Sequence, residues 1–113
     1  MPEITREVSV AANSTETDIL NGTRLENVPR RARAYRVDMY ATASATGINH
    51  EAFADSDNFV EQGAVSSQNR VPLKDRDRVS SVLVTPGTRL QINATNTTGS
   101  AETYFLTISA NPV

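Results

Sequence analysis

From Val79 to Ala110 the chain alternates and turns with a rhythm that only paired β-strands accommodate. Arg89-Leu90-Gln91-Ile92-Asn93-Ala94 puts Leu90, Ile92 and Ala94 on one side, and Glu102 to Ile108 does the same with Tyr104, Leu106 and Ile108. Val79, Ser81 and Leu83 form a similar set ahead of them. A period of two with one apolar side marks strands half buried against a core. Between the first two runs stands Thr85-Pro86-Gly87-Thr88. Proline pre-sets φ at the second position of a β-turn, and glycine at the third supplies the positive φ of a type II turn. Such turns match strand twist poorly in two-residue hairpins. This one is therefore expected to be a corner that carries the chain from one sheet to another. Asn96-Thr97-Thr98-Gly99-Ser100, with Gly99 free to turn left-handed, is expected to close an ordinary bulged hairpin. One corner and one hairpin predict a sandwich.

The earlier chain continues the pattern. Ile4, Val8 and Val10 share a parity, so residues 3–10 are expected to form a strand, with residues 1–7 a candidate extended arm. Asp18-Ile19-Leu20 reads as a short strand or ledge closed by Asn21-Gly22. The longest alternation is Arg31 to Ala43, where Arg33, Tyr35, Val37, Met39 and Ala41 share a side and the arginine end is expected to emerge from the sheet. Ala and Arg are good helix formers, but no capping signal opens this stretch and Ser44-Ala45-Thr46-Gly47 closes it as a turn would. Ile48 to Phe53, Phe59-Val60 and Val71 to Leu73 are further short strands. Neither a repeat nor a linker divides the sequence, which predicts a single all-β domain over 1–113: an antiparallel β-sandwich, jelly-roll-like, of about eight strands.

Composition narrows the function. With 11 basic and 13 acidic residues the net charge is −2, so nothing global draws the chain to nucleic acid or to an anionic membrane. Cysteine is absent, which removes disulfides and thiolate metal sites. No apolar run approaches the roughly 20 residues of a membrane span, and Met1-Pro2-Glu3 does not open like a signal peptide. The expectation is synthesis in a cytoplasm. The four Asn-x-Ser/Thr sequons, at Asn13, Asn21, Asn93 and Asn96, are then expected to be turn chemistry rather than glycosylation sites.

Candidates for chemistry are few. His50 is the only histidine, and His50-Glu51 lacks the second histidine of a zinc helix motif. It is expected to face solvent beside a turn. Asp55-Ser56-Asp57-Asn58 begins like a calcium loop, but Val60 stands where that loop needs glycine. Asp75-Arg76-Asp77-Arg78 reads as a solvated loop with self-neutralising charges. No catalytic, cofactor or metal residue is expected. Ten of the eleven basic residues are arginine, Lys74 standing alone. A GC-rich genome accounts for such a bias, and so does interface work, since guanidinium pairs bidentately with carboxylates and tolerates burial better than ammonium. Arg30, Arg31 and Arg33 form the one basic cluster, and Tyr35 is the only aromatic beside it. A docking patch for a protein partner fits that cluster better than a nucleic-acid site, which calls for interleaved aromatics.

Two stretches carry a resemblance. Val8-Ser9-Val10-Ala11-Ala12-Asn13-Ser14-Thr15 runs on to Ile19-Leu20-Asn21-Gly22-Thr23; Pro86-Gly87-Thr88-Arg89-Leu90 is followed by Asn96-Thr97-Thr98-Gly99-Ser100-Ala101. Together they resemble small jelly-roll capsid cement, or decoration, proteins of tailed bacteriophages. The resemblance covers the two ends, about half the chain, and leaves Ile48 to Lys74 unmatched; it is carried by turns and strands, not by chemistry. It implies a non-enzymatic structural protein on the outer surface of the virion, made in the host cytoplasm. The implied partners are the major capsid protein and further copies of the chain, as a homodimer or homotrimer. The cluster Arg30, Arg31, Arg33 is no part of the family pattern. Two other classes fit a small sandwich. A spike or fibre domain would call for a trimerising segment, and a carbohydrate-binding module would present exposed aromatics, of which a chain with no Trp and three Tyr has few.

Overall fold

A computed structural model describes residues 3–113. It contains β1 (Glu3–Val10), β2 (Thr15–Glu16), β3 (Tyr35–Ala43), β4 (Ile48–Ala54), β5 (Asp57–Ala64), β6 (Arg78–Val84), β7 (Leu90–Asn96) and β8 (Glu102–Pro112). The strands form two four-stranded sheets, β1-β8-β3-β6 and β2-β7-β4-β5. Every pairing between these strands is antiparallel. First pairs with last, second with seventh, third with sixth and fourth with fifth, so the chain is one long antiparallel ribbon. Rolling that ribbon adds the contacts β8–β3 and β7–β4 and divides it into two facing layers. This is the jelly-roll arrangement, and the expected fold class holds.

The alternating residues fill the space between the sheets. Tyr35, Val37, Met39 and Ala41 of β3 and Tyr104, Leu106, Ile108 and Ala110 of β8 are buried from one layer. Ile48 and Ala52 of β4 and Leu90, Ile92 and Ala94 of β7 meet them from the other. The long β2–β3 connection then plugs one end, burying Ile19, Leu20, Leu25 and Val28 in the same cluster. Ile19-Leu20 is thus a ledge and not a strand. Its anchor is a backbone bond from the Ile19 N–H to the Ile92 carbonyl at 2.9 Å.

Several expectations change. Residues 3–7, a candidate arm, pair with β8 along the whole of β1; residues 1 and 2 of that arm lie outside the described residues. The run 31–34 is not strand, and β3 starts at Tyr35. Val71 to Leu73 is loop, because the chain there folds back on itself: the Asp77 carboxylate accepts the Leu73 N–H at 2.7 Å. On β6 the inward residues are Ser80, Val82 and Val84, while Val79, Ser81 and Leu83 face out. The run Val82-Leu83-Val84 is apolar on both parities, so alternation cannot choose; the register can, setting Val82 beside Val37 and Val84 beside Tyr35.

The two corners tell the same story. Pro86-Gly87 does carry the chain between sheets, with Gly87 at φ +80°. Asn96 to Ser100 is not a hairpin, however, since β7 and β8 belong to different sheets. The side chain of Asn96, fully buried, builds this corner. Its amide donates to the carbonyls of Val10 at 3.0 Å and Ser100 at 2.8 Å, and its Oδ1 accepts from the Thr98 N–H and hydroxyl. A buried side chain spent in this way is closed to glycosylation. Replacing Asn96 by Ala strands these partners, which we expect to cost about 3 kcal/mol and lower the melting temperature by roughly 10 °C or more. Calorimetry checks this, and a shift under ~2 °C would mean that water serves the corner equally well.

The outward side of β3 is covered as well. Asp38, Tyr40 and Thr42 are buried there, beneath the β5–β6 loop. The Thr42 hydroxyl donates to the Arg70 carbonyl, Arg70 pairs with Asp77 at 3.0 Å, and Lys74 pairs with Glu3 on β1. Asp77 is therefore a latch, while Asp75, Arg76 and Arg78 around it are exposed as expected.

Candidate interaction surface

Strand direction sorts the connections into two ends. The β1–β2, β3–β4 and β7–β8 turns meet at one end, laced by Asn13 N–H to the Thr98 carbonyl at 3.2 Å and Thr97 N–H to the Gly47 carbonyl at 3.0 Å. The β2–β3 connection, the β4–β5 turn and the β6–β7 corner share the other end. There the Val28 N–H donates to the Thr88 carbonyl at 2.8 Å and the Gly87 N–H to the Val28 carbonyl at 2.9 Å. Downstream, the Arg31 N–H donates to the Tyr35 hydroxyl at 3.0 Å and the Val113 N–H to the Ala34 carbonyl at 3.1 Å. The segment 28–34 is thus pinned at both ends and displays its side chains on a fixed backbone.

Arg30, Arg31 and Arg33 all lie on this segment and are exposed. Among the described residues none of the three forms an ion pair. That contrasts with Arg89 nearby, which pairs with Asp18 and, at 3.8 Å, with Glu26. The Arg30 guanidinium lies against Gly87, where a Cβ would strike it. Glycine is favoured there by its positive φ, whereas the guanidinium, at the end of an exposed flexible side chain, could move aside for a Cβ. The result is a rigid cationic corner whose charge is not neutralised within the chain, a surface suited to carboxylates of another molecule.

The other sequence candidates resolve into structure. Asp55 sits at φ +54° in the two-residue β4–β5 turn and accepts the Arg89 N–H at 3.0 Å, so the calcium-like stretch is turn chemistry. His50 does not face solvent. It is 5% exposed, shares the inward parity of Ile48, Ala52 and Ala54, and its Nδ1 lies 2.8 Å from the Tyr104 hydroxyl. The two rings meet edge to face at 5.7 Å. Burial lowers the His50 pKa from 6.5 to about 4 and raises that of the Tyr104 phenol, so both are neutral near pH 7. The parity was readable in the sequence, but the lone histidine's polarity outweighed it. Among the described residues no three His, Cys, Asp or Glu side chains gather as a metal site would require. Compared with protein-family models the chain matches none, and a search of curated proteins returns no match.

Proposed function

We propose that the protein is a capsid cement: a non-enzymatic virion component that binds the outside of an assembled icosahedral head and bridges major capsid protein subunits. The observation that carries the reading is the pinned, exposed and unpaired cluster Arg30, Arg31, Arg33 at one end of a jelly roll. The sequence resemblance supplies the class of partner. A shell pressed from within by packaged DNA fails at the seams between subunits. A rigid module touching two or three subunits adds contact where they would part. Each contact can be weak, because linked contacts on a fixed lattice act at high effective concentration. A rigid sandwich with docking loops suits that task, and self-association would multiply the contacts per particle.

The test is binding to empty shells of the cognate major capsid protein and, in parallel, to its dissociated subunits. Shells are expected to bind at least about tenfold tighter, since a seam exists only in the lattice. Equal affinity for both would remove the mechanism. The variant carrying Arg30→Glu, Arg31→Glu and Arg33→Glu should keep its fold, because all three side chains are exposed. It should lose shell binding, because like charges brought together at a desolvated contact repel by several kcal/mol. Wild-type saturation by that variant at moderate salt would make the arginines mere surface.

A further inference from the structure

A sandwich of two open sheets has four edges, and three of them are blunted here. The β1 edge carries Glu3, Arg6 and Glu7, the β5 edge carries Asp57 and Glu61, and β2 is two residues long. Charges and shortness are the usual means of keeping a sheet edge from pairing with another chain. The β6 edge has neither. After Arg78 its residues Val79-Ser80-Ser81-Val82-Leu83-Val84 are uncharged, and among the described residues its free side pairs with no strand. It also bears two of the exposed large apolar side chains, Leu83 at 66% and Val79 at 37%. A bulge lies where β6 passes Met39 and Tyr40, and Ser80 to Val84 keep regular register with β3.

We propose that β6 pairs antiparallel with β6 of a second copy, about a two-fold axis at Ser81, joining two sheets into one of eight strands. A two-fold axis normal to a sheet must pass through a residue that faces itself, so the choice of centre fixes every other pair. Centred on Ser81, Val79, the residue that the bulge leaves without a partner on β3, comes against Leu83 of the second copy, twice, so each exposed apolar side chain covers the other. Arg78 then falls opposite Val84 and Asp77 opposite Thr85, so no like charges meet. Shifting the centre to Val82 would set Leu83 against Ser81 and leave Val79 opposite Thr85. The surface agrees. An open groove of about 210 Å³ runs beside Leu83 and Phe59, and one of about 230 Å³ beside Val79 and Ala64. The same two-fold axis brings each groove onto the other's counterpart. Antiparallel pairing over this length adds about four to six backbone hydrogen bonds. The partner is a second copy and not a foreign strand because the edge complements itself. The inference gives the self-association in the proposed function its surface and rests on that reading for nothing else.

Sedimentation of the isolated chain between about 1 and 200 µM, the range a small edge contact spans, should show twice the 12.3 kDa mass at the upper end. Leu83→Lys, at an exposed position, should remain folded and shift the population to monomer by at least about tenfold in concentration. Ser81→Cys should oxidise to a covalent dimer, since facing residues of an antiparallel pair stand about 4.5–5.5 Å apart, within disulfide range. Ser56→Cys, in the exposed β4–β5 turn, should not. A wild-type monomer throughout that range overturns the proposal. So does a dimer indifferent to Leu83→Lys, or one in which Ser81→Cys fails to cross-link. Shell binding is scored separately: a monomer that binds shells sinks only the edge pairing, and a β6 dimer that ignores shells sinks only the cement reading.

Discussion

Leu106→Asp is expected to abolish cooperative folding. Leu106 is fully buried on β8, beside Ala41 of β3 and Arg6 of β1, and its side chain points between the sheets. Removing it sacrifices about 3 kcal/mol of apolar burial and packing. Among the described residues the one charged neighbour of the new carboxyl is Arg6, exposed on the edge strand β1, and the rest of its surroundings are apolar, lined by Tyr104, Ile108 and Ile92. Holding it protonated at pH 7 costs about 4 kcal/mol more, three pKa units from its ordinary value. The sum, about 7 kcal/mol, is comparable with the roughly 5–15 kcal/mol that stabilises a domain of this size. Ile92→Asp attacks the facing sheet and should do the same. Circular dichroism on heating is the measurement. A sharp transition within ~5 °C of wild type would mean that water reaches the space between the sheets.

Acid should weaken the fold through His50. Its folded-state pKa, about 4, lies below the ordinary 6.5. Between these values the unfolded chain binds a proton that the folded protein refuses, so stability falls as pH drops through the window and is complete above it. The full effect is about 3 kcal/mol, of which about 2 kcal/mol is lost between pH 7 and pH 5. His50→Gln should be less stable at pH 7, because the buried Tyr104 hydroxyl loses its imidazole partner. It should also be flatter with pH. Urea titrations of both proteins at the two pH values isolate the difference. If the two lose stability in parallel, His50 is not the group that titrates.

The strands that proved most legible are those in which one parity alone is apolar. In β7, Leu90, Ile92 and Ala94 alternate with Gln91, Asn93 and Thr95, and all three are buried as expected. Legibility failed where both parities are apolar, as in Val82-Leu83-Val84, and where polarity outvoted parity, as in His50. It failed again at Asn96, whose turn-forming side chain signals a bend but not which sheet the next strand joins. The sheet is chosen by contacts such as Asn96 to Val10, 86 residues apart, and these are invisible to local pattern. The arginine cluster stands out in the sequence because three guanidiniums in four residues are conspicuous. Its lack of carboxylate partners is a property of the folded end alone.

The ribbon topology also governs the order in which the molecule can come into being. β8 lies between β1 and β3, the first and third strands of the chain, and holds both. Until residues 102–112 have been synthesised, β1 has no neighbour in its sheet and β3 has only β6. Most closures therefore span long stretches of chain, with a loop entropy that local contacts cannot offset early. The exception is the β4–β5 hairpin, whose two-residue turn closes at little entropic cost. Folding is expected to start at that tip and zip outward through β3–β6 and β2–β7, ending where the chain's two ends meet. Such a route places the protein among the slow folders, on the order of milliseconds to seconds. It also leaves the uncharged β6 segment uncovered during translation, when a nascent chain has its neighbours on the polysome for company.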